Sequence, residues 1–359
     1  MHEEALRDPP RSPSEETPHQ DQEEQRLARA AALAACAPVP ARIGNALAGT
    51  AGWTDPTLVK SHRFYPKGVS SPAERLKFYA SQFPVVEVNS SYYALPRPGM
   101  VAQWIERTPP DFVFNVKAFA PLTQHPVEPA RLPPDVQGAL PASLFDRRRL
   151  YPADLPAETR DALWERFRMA VDPLRQAGKL GYVLFQFPPW FTATRGNVRV
   201  IEECRRRMEG LPFAVELRHG SWGMPGRIER VVDLLRDLGA FYVIVDEPQG
   251  KQNSMPPTAL VADPRLAVVR FHGRREETWD APVGVNEKFR YVYDPVELAP
   301  WAETVARISQ EAEQVHAIFN NCVSDHAVVG ARGLMALLAR RSAALADEAA
   351  PVPVSSAVH

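Results

Sequence analysis

Cysteine is scarce in this chain: Cys36, Cys204 and Cys322 are the only three in 359 residues. Their spacing fits no metal-binding pattern and three thiols cannot all pair, so no disulfide framework is expected and a reducing, cytoplasmic setting is. Long apolar runs are missing as well. No stretch approaches the roughly eighteen apolar residues of a spanning helix, which leaves no membrane segment. Charge of one sign is also lacking: the formal net charge is −1, so no global basic field draws the chain to nucleic acid or to an anionic membrane. No phosphate-binding glycine loop, HExxH helix or nucleophile elbow occurs. The nearest glycine-rich turn, Gly49-Thr50-Ala51-Gly52-Trp53, places an indole where a dinucleotide's pyrophosphate needs bare backbone, which argues against a Rossmann site.

What the chain does have is a hydrophobic share of 45%, enough for a large core. Residues 1–40 and 341–359 are rich in Pro, Ala, Ser and charge and read as disordered tails, the first ending in a short alanine-rich helix. The folded unit is then 41–340. Strand-like runs fall near 46–51, 85–89, 112–118, 182–187, 213–218, 241–246, 267–272 and 315–321. Helical patterns lie between them. Ser71-Pro72-Ala73-Glu74 supplies an N-cap, a first-turn proline and a capping-box glutamate, and the stripe Ile228, Val231, Val232, Leu235, Leu238 closes at Gly239. Eight alternating strand and helix units predict an α/β fold, a single TIM-like (β/α)8 barrel. The proline-rich stretch 120–155 is too long for a plain connection and reads as either a lid or a solvated insertion.

Six of the strands carry polar residues at every second position near their ends. They read Val-Val-Glu87-Val-Asn89, Phe-Val-Phe-Asn115-Val-Lys117, Val-Leu-Phe-Gln186, Ala-Val-Glu216-Leu-Arg218, Val-Ile-Val-Asp246 and Val-Val-Arg270-Phe-His272. Alternation sends each set to one face of its strand. Charges at strand ends are expensive in a dry core and suit a pocket at the C-terminal mouth of a barrel. With Asn320 added, the inward set holds three carboxylates, Glu87, Glu216 and Asp246, against three cations, Lys117, Arg218 and Arg270.

These pieces, taken in order, resemble the domain of unknown function 72 family, also called YecE-like. The resemblance rests on Gly49 to Trp53, Phe64-Tyr65-Pro66, Val86 to Tyr93, Phe114 to Lys117 and Leu184 to Pro189. It continues through Glu216 to His219 with Trp222, Asp246-Glu247-Pro248, Arg270 to Gly273 and Phe319-Asn320-Asn321. It implies a TIM-like barrel over about 47–335 and no settled activity. Cys322 stands where the family often has a histidine after the paired asparagines, so a role for that histidine would be missing here.

Two chemistries fit the cluster. A metal-dependent phosphodiesterase-like site could draw on His219, His272, Glu87, Glu216 and Asp246, but Lys117, Arg218 and Arg270 would repel the ion and the histidines lack ligand spacing. A metal-free site for a phosphorylated, carboxylated or nucleotide-like ligand is favoured. There Arg218 and Arg270 recognise the anion while Asn89, Asn115, Gln186, His272, Asn320 and Asn321 bind polar groups. Lys117, Glu216, Glu87 and His219 are the candidate catalytic residues for a lyase, isomerase or hydrolase. A salt bridge to Glu87 is the plain alternative role for Lys117, and an internal ion-pair network the plain alternative for the whole cluster. Trp53, Tyr93 and Trp222, with Tyr92 and Trp190, offer aromatic faces to a base or sugar. A non-catalytic or nucleic-acid-binding protein is the remaining class, with Arg147-Arg148-Arg149 and Arg205-Arg206-Arg207 as the basic clusters.

Overall fold

The computed structural model describes residues 17–281 and 284–349. Eight parallel strands are paired in sequence order: β1 (Ala46–Thr50), β2 (Val85–Val88), β3 (Val113–Lys117), β4 (Leu180–Gln186), β5 (Phe213–Glu216), β6 (Phe241–Asp246), β7 (Ala267–Phe271) and β8 (Val315–Phe319). β1 also pairs with β8, from Ala46 with Val315 to Thr50 with Phe319, which closes the barrel. Arg42 and Ile43 add a two-residue antiparallel ribbon against β1. The expected (β/α)8 architecture is therefore present, and each predicted strand run overlaps one barrel strand.

Local chemistry explains the framing helices. Ser71 Oγ accepts from the Glu74 N–H at 3.2 Å while Glu74 Oε2 accepts from the Ser71 N–H at 2.9 Å. This closes both ends of the box that starts helix Pro72–Gln82. In helix Ile228–Asp237 the buried Ile228, Val231, Val232 and Leu235 lie on one stripe facing the barrel. Helix Ala157–Gln176 sets Trp164 parallel to Phe185 of β4, with ring centroids 5.8 Å apart.

Inside the barrel two glycines make room. A Cβ on Gly49 would stand 2.1 Å from the Val85 carbonyl oxygen, and one on Gly181 would stand 2.3 Å from Asn115 Oδ1. Only hydrogen fits at either place.

Two expectations about the edges of the fold need correction. Residues Thr17–Ala34 form a helix with Ala30, Leu33 and Ala34 buried, not a disordered tail. Arg26 reaches the Val292 carbonyl at 2.5 Å and also Glu297, and Arg29 pairs with Asp294 at 2.5 Å. At the other end, helix His326–Ala349 runs past the predicted boundary at 340. The rest of both tails lies outside the described residues. The stretch 120–155 is not a solvated insertion: it folds into short helical turns whose Leu122, Val127, Leu132, Val136, Leu150 and Leu155 join the core. No helix among the described residues is long and apolar enough to cross a membrane.

Candidate active site

Register decides which side chains meet. In parallel pairs, residues in register share a face, so Glu87 lies beside Asn115, and Gln186 beside Glu216, all turned inward. Val245 is in register with Arg270 and Asp246 with Phe271. Phe271 packs edge-on against Trp301 of helix Pro295–Ile308, so this face is the outer one.

Arg270 is the hub. Its guanidinium bonds Glu87 Oε1 at 2.6 Å through Nη2 and also bonds Glu216 through Nη1. Tyr182, on the inner face of β4, donates to Glu87 Oε2 at 3.2 Å. Arg218 Nη1 approaches Glu216 Oε1 at 3.2 Å, and its Nε lies 3.2 Å from Glu247 Oε2. Arg270, Glu87, Glu216 and His272 are fully buried. Burial pushes the Glu216 carboxyl up, but Arg270, His272 and Arg218 outweigh it and hold the carboxyl well below the usual range. Glu247 is different: burial lifts it to about 7 against the pull of Arg218.

A relay leads from this network to the surface. Burial holds His272 at about 3, so the ring is neutral at physiological pH. With Glu216 Oε1 3.1 Å from Nε2, the ring proton sits on Nε2, and Nδ1 accepts from Asn320 Nδ2 at 3.0 Å. Asn320 Oδ1 in turn accepts from Asn89 Nδ2 at 3.0 Å. Asn89 Oδ1 has no partner.

Above the relay is a cavity of about 300 Å³ walled by Asn89, Tyr92, Tyr93, Lys117, Gln186 and Asn320, with Asp55, Phe289 and Cys322 completing it. Lys117 is its cation. The half-buried ammonium lies 4.6 Å over the Tyr92 ring. Desolvation and then the nearby Arg270 lower it to about 8, opposed by Glu216 and Glu87. The salt bridge between Lys117 and Glu87 does not form, because Glu87 is taken by Arg270 and Tyr182. Cys322, in the place of the family's frequent histidine, is a protonated thiol held near 12 by burial and by Asp55.

Several sequence candidates lie elsewhere. Asp246 faces outward, where Arg274 bonds both its oxygens at 2.8 to 3.0 Å and Tyr293 donates to it at 2.6 Å. Glu247 takes the inner place expected of Asp246, against Arg218. Asn115 lies beneath the cavity beside His316, with Oδ1 to Nδ1 at 3.2 Å. Asn321 donates to the Tyr291 carbonyl at 2.8 Å and holds a loop. Trp53 is a core residue, edge-on to Trp104 at 5.6 Å, and Trp222 is buried against Phe191 at 5.8 Å. His219, with Nδ1 2.8 Å from Ser221 Oγ, borders a separate cavity. The buried Glu87, Glu216, Arg218 and Arg270 lie behind the wall and not on it, so they shape the pocket's field without touching its contents. Tyr182, four residues before Gln186 on the same face, was within reach of the period-two pattern. His125 and Phe289 arrive from loops and leave no periodic trace.

Among the described residues no group of three His, Cys, Asp or Glu side chains is placed to hold a metal ion. Glu87 and Glu216 behind the cavity are already committed to guanidinium groups, and Asp55 on its wall is engaged as the N-cap of the helix that begins at Pro56.

The family model described as "Protein of unknown function DUF72" matches residues 47–355. UPF0759 protein YunF of Bacillus subtilis (strain 168) is 28% identical over 294 residues, covering 81% of this chain and 93% of its own. UPF0759 protein YecE of Escherichia coli (strain K12) is 25% identical over 285 residues, covering 72% of this chain and 89% of its own. Among solved structures, a DUF72 family protein of Enterococcus faecalis V583 superposes with a TM-score of 0.67 at 27% identity, covering 82% of this chain and 95% of that one. One from Thermotoga maritima MSB8 gives 0.64 at 28% identity, covering 82% and 99%. With the model matched over most of its length and the barrel shared with these relatives, the chain belongs to the DUF72 family.

Proposed function

We propose that this protein binds a small anionic molecule, phosphorylated or carboxylated, in the cavity at the C-terminal mouth of the barrel. One observation carries the reading: Lys117 faces the cavity without a carboxylate partner among the described residues, whereas Arg270 and Arg218 behind it are paired with Glu87, Glu216 and Glu247. A half-buried positive charge with no bonded carboxylate is costly, and an anionic ligand supplies the missing partner. The amides of Gln186, Asn89 and Asn320 surround the amine and offer both donors and acceptors to the rest of the ligand.

Arg218 and Arg270 act indirectly in this reading. Together with desolvation they weaken the hold of Lys117 on its proton, and a bound anion opposes them by stabilising the ammonium. Titration of inorganic phosphate by calorimetry tests the proposal. Binding to the wild type should weaken at least tenfold in Lys117→Met and should fall as pH rises through about 8, where the ammonium is lost. Phosphate binding that is indifferent to Lys117, or absent from the wild type, overturns it.

A further inference from the structure

A ridge of rings runs away from Lys117. From the amine over Tyr92 at 4.6 Å, the next ring is His125 at 5.3 Å and the next is Trp190 at 5.8 Å. Tyr93 meets Tyr92 edge-on at 5.0 Å and is 55% exposed, and Trp190 is 56% exposed. Because these rings touch one another in a row, they form a contiguous aromatic patch at the mouth of the barrel, and a patch of that kind marks a binding surface.

Beyond Trp190 lies a second cavity, of about 520 Å³, walled by Trp190, Thr192, His219, Gln252, Asn253 and Asp280. Its wall residues follow β4, β5, β6 and β7, so it occupies the same end of the barrel as the Lys117 cavity. Its chemistry differs. Among the described residues no cation lines it, Lys251 pairing with Asp280 of its wall at 3.4 Å, and two primary amides do. The Asn253 side-chain carbonyl has no donor among the described residues. His125, the ring at the centre of the ridge, is neutral because burial and the nearby Lys117 hold it at about 3.

We infer that the two cavities are halves of one site and that its ligand is a nucleoside monophosphate, with the phosphate at Lys117 and the base stacked on Trp190. The inference rests on the reading of Lys117 as the anion-binding amine. An aromatic face accepts any base, while Asn and Gln side chains match the donor and acceptor edge of a purine. The three successive contacts set an upper limit on the span from amine to indole, and in this arrangement the ribose crosses the ridge at Tyr92 and His125.

The test uses the full chain and three probes, inorganic phosphate, adenosine and AMP, against the wild type, Trp190→Ala and Lys117→Met. AMP should bind the wild type at least tenfold tighter than phosphate. Trp190→Ala should remove most of that advantage, about tenfold or more, while leaving phosphate affinity unchanged. Lys117→Met should weaken phosphate and AMP but not adenosine. If AMP is no tighter than phosphate, or Trp190→Ala leaves it unaltered, the ring subsite is refuted while the anion site stands. Trp190-dependent adenosine binding without phosphate binding would refute the anion site instead. A single-stranded oligonucleotide bound more tightly than AMP, with steep salt dependence, would overturn the mononucleotide in favour of a polymer.

Discussion

Glu247 meets Arg218 inside the barrel mouth, Oε2 to Nε at 3.2 Å, while its other oxygen accepts from the Met255 N–H at 2.6 Å. Glu247 is thus held between a cation that favours its charge and a burial that opposes it, and burial prevails, at about 7. In the unfolded chain the same carboxyl titrates near 4.5. Between those values the folded state holds the proton that the unfolded state has lost, so stability is fully present below pH 4.5 and declines as pH rises towards 7. Glu247→Gln, a stand-in for the neutral carboxyl, should remove that decline. Urea unfolding of both proteins at several pH values should show their difference changing by roughly 1–3 kcal/mol across the window. Parallel pH profiles would show that Glu247 is ionised throughout.

Arg270 is enclosed on every side, with Glu87 and Glu216 bonded to its two terminal nitrogens. Arg270→Met leaves the buried Glu87 without a counter-charge and Glu216 with Arg218 alone, and should cost about 3–5 kcal/mol in urea or thermal unfolding. Adding Glu87→Gln and Glu216→Gln to it should recover most of that loss, because the penalty comes from the unpaired charges and not from the missing guanidinium. A triple variant as unstable as the single one would locate the effect in packing.

The barrel itself was legible because its signals are local and repeated. Each strand buries one face against helices, so the period of two survives in the chain, and the capping box at Ser71 and Glu74 announces its helix within four residues. The pairing of Glu87 with Arg270 was not legible. These residues are 183 positions apart, and sequence gives their common face without giving their partners. Asp246 and Glu247 show where parity fails: the last strand position faces outward and the next residue turns in, a choice fixed by the register of β6 on β7. Trp53 and Trp222 misled for a related reason. An indole just past a strand can turn to the mouth or fold back beneath a loop, and its residue type is the same in both cases.

Lys117 should betray its surroundings by its reactivity. Its amine loses the proton near 8, against 10.5 for an ordinary lysine, so acylation should accelerate through pH 8. Pulse labelling read by peptide mass spectrometry can follow the same Lys117 peptide in the folded protein and in the urea-unfolded chain. The Lys117 rate should level off between pH 8 and 9 in the folded protein and continue to climb in the unfolded one. Matching profiles would mean that the ammonium is fully hydrated, and the cavity more open than its walls imply.

The N-terminal helix gives a prediction at the edge of the family's common barrel, since Thr17–Ala34 precedes the matched segment. Leu33 is buried, and its Cδ2 lies 3.5 Å from where a Cβ on Gly333 would stand, so the leucine packs directly over that glycine of the last helix. Leu33→Ala should destabilise the fold by about 2–3 kcal/mol, at the lower end for a buried leucine because the site can partly collapse. Arg26 from the same helix clamps Val292, Tyr291 and Glu297, and Tyr291 carries the carbonyl that Asn321 holds beside the end of β8. Arg26→Ala should therefore loosen the loop behind Phe289, one wall of the Lys117 cavity, and weaken phosphate binding several-fold with a smaller effect on unfolding than Leu33→Ala. Calorimetry and urea melts on the two variants separate the roles. Equal losses of affinity and stability in both would reduce the helix to a structural brace.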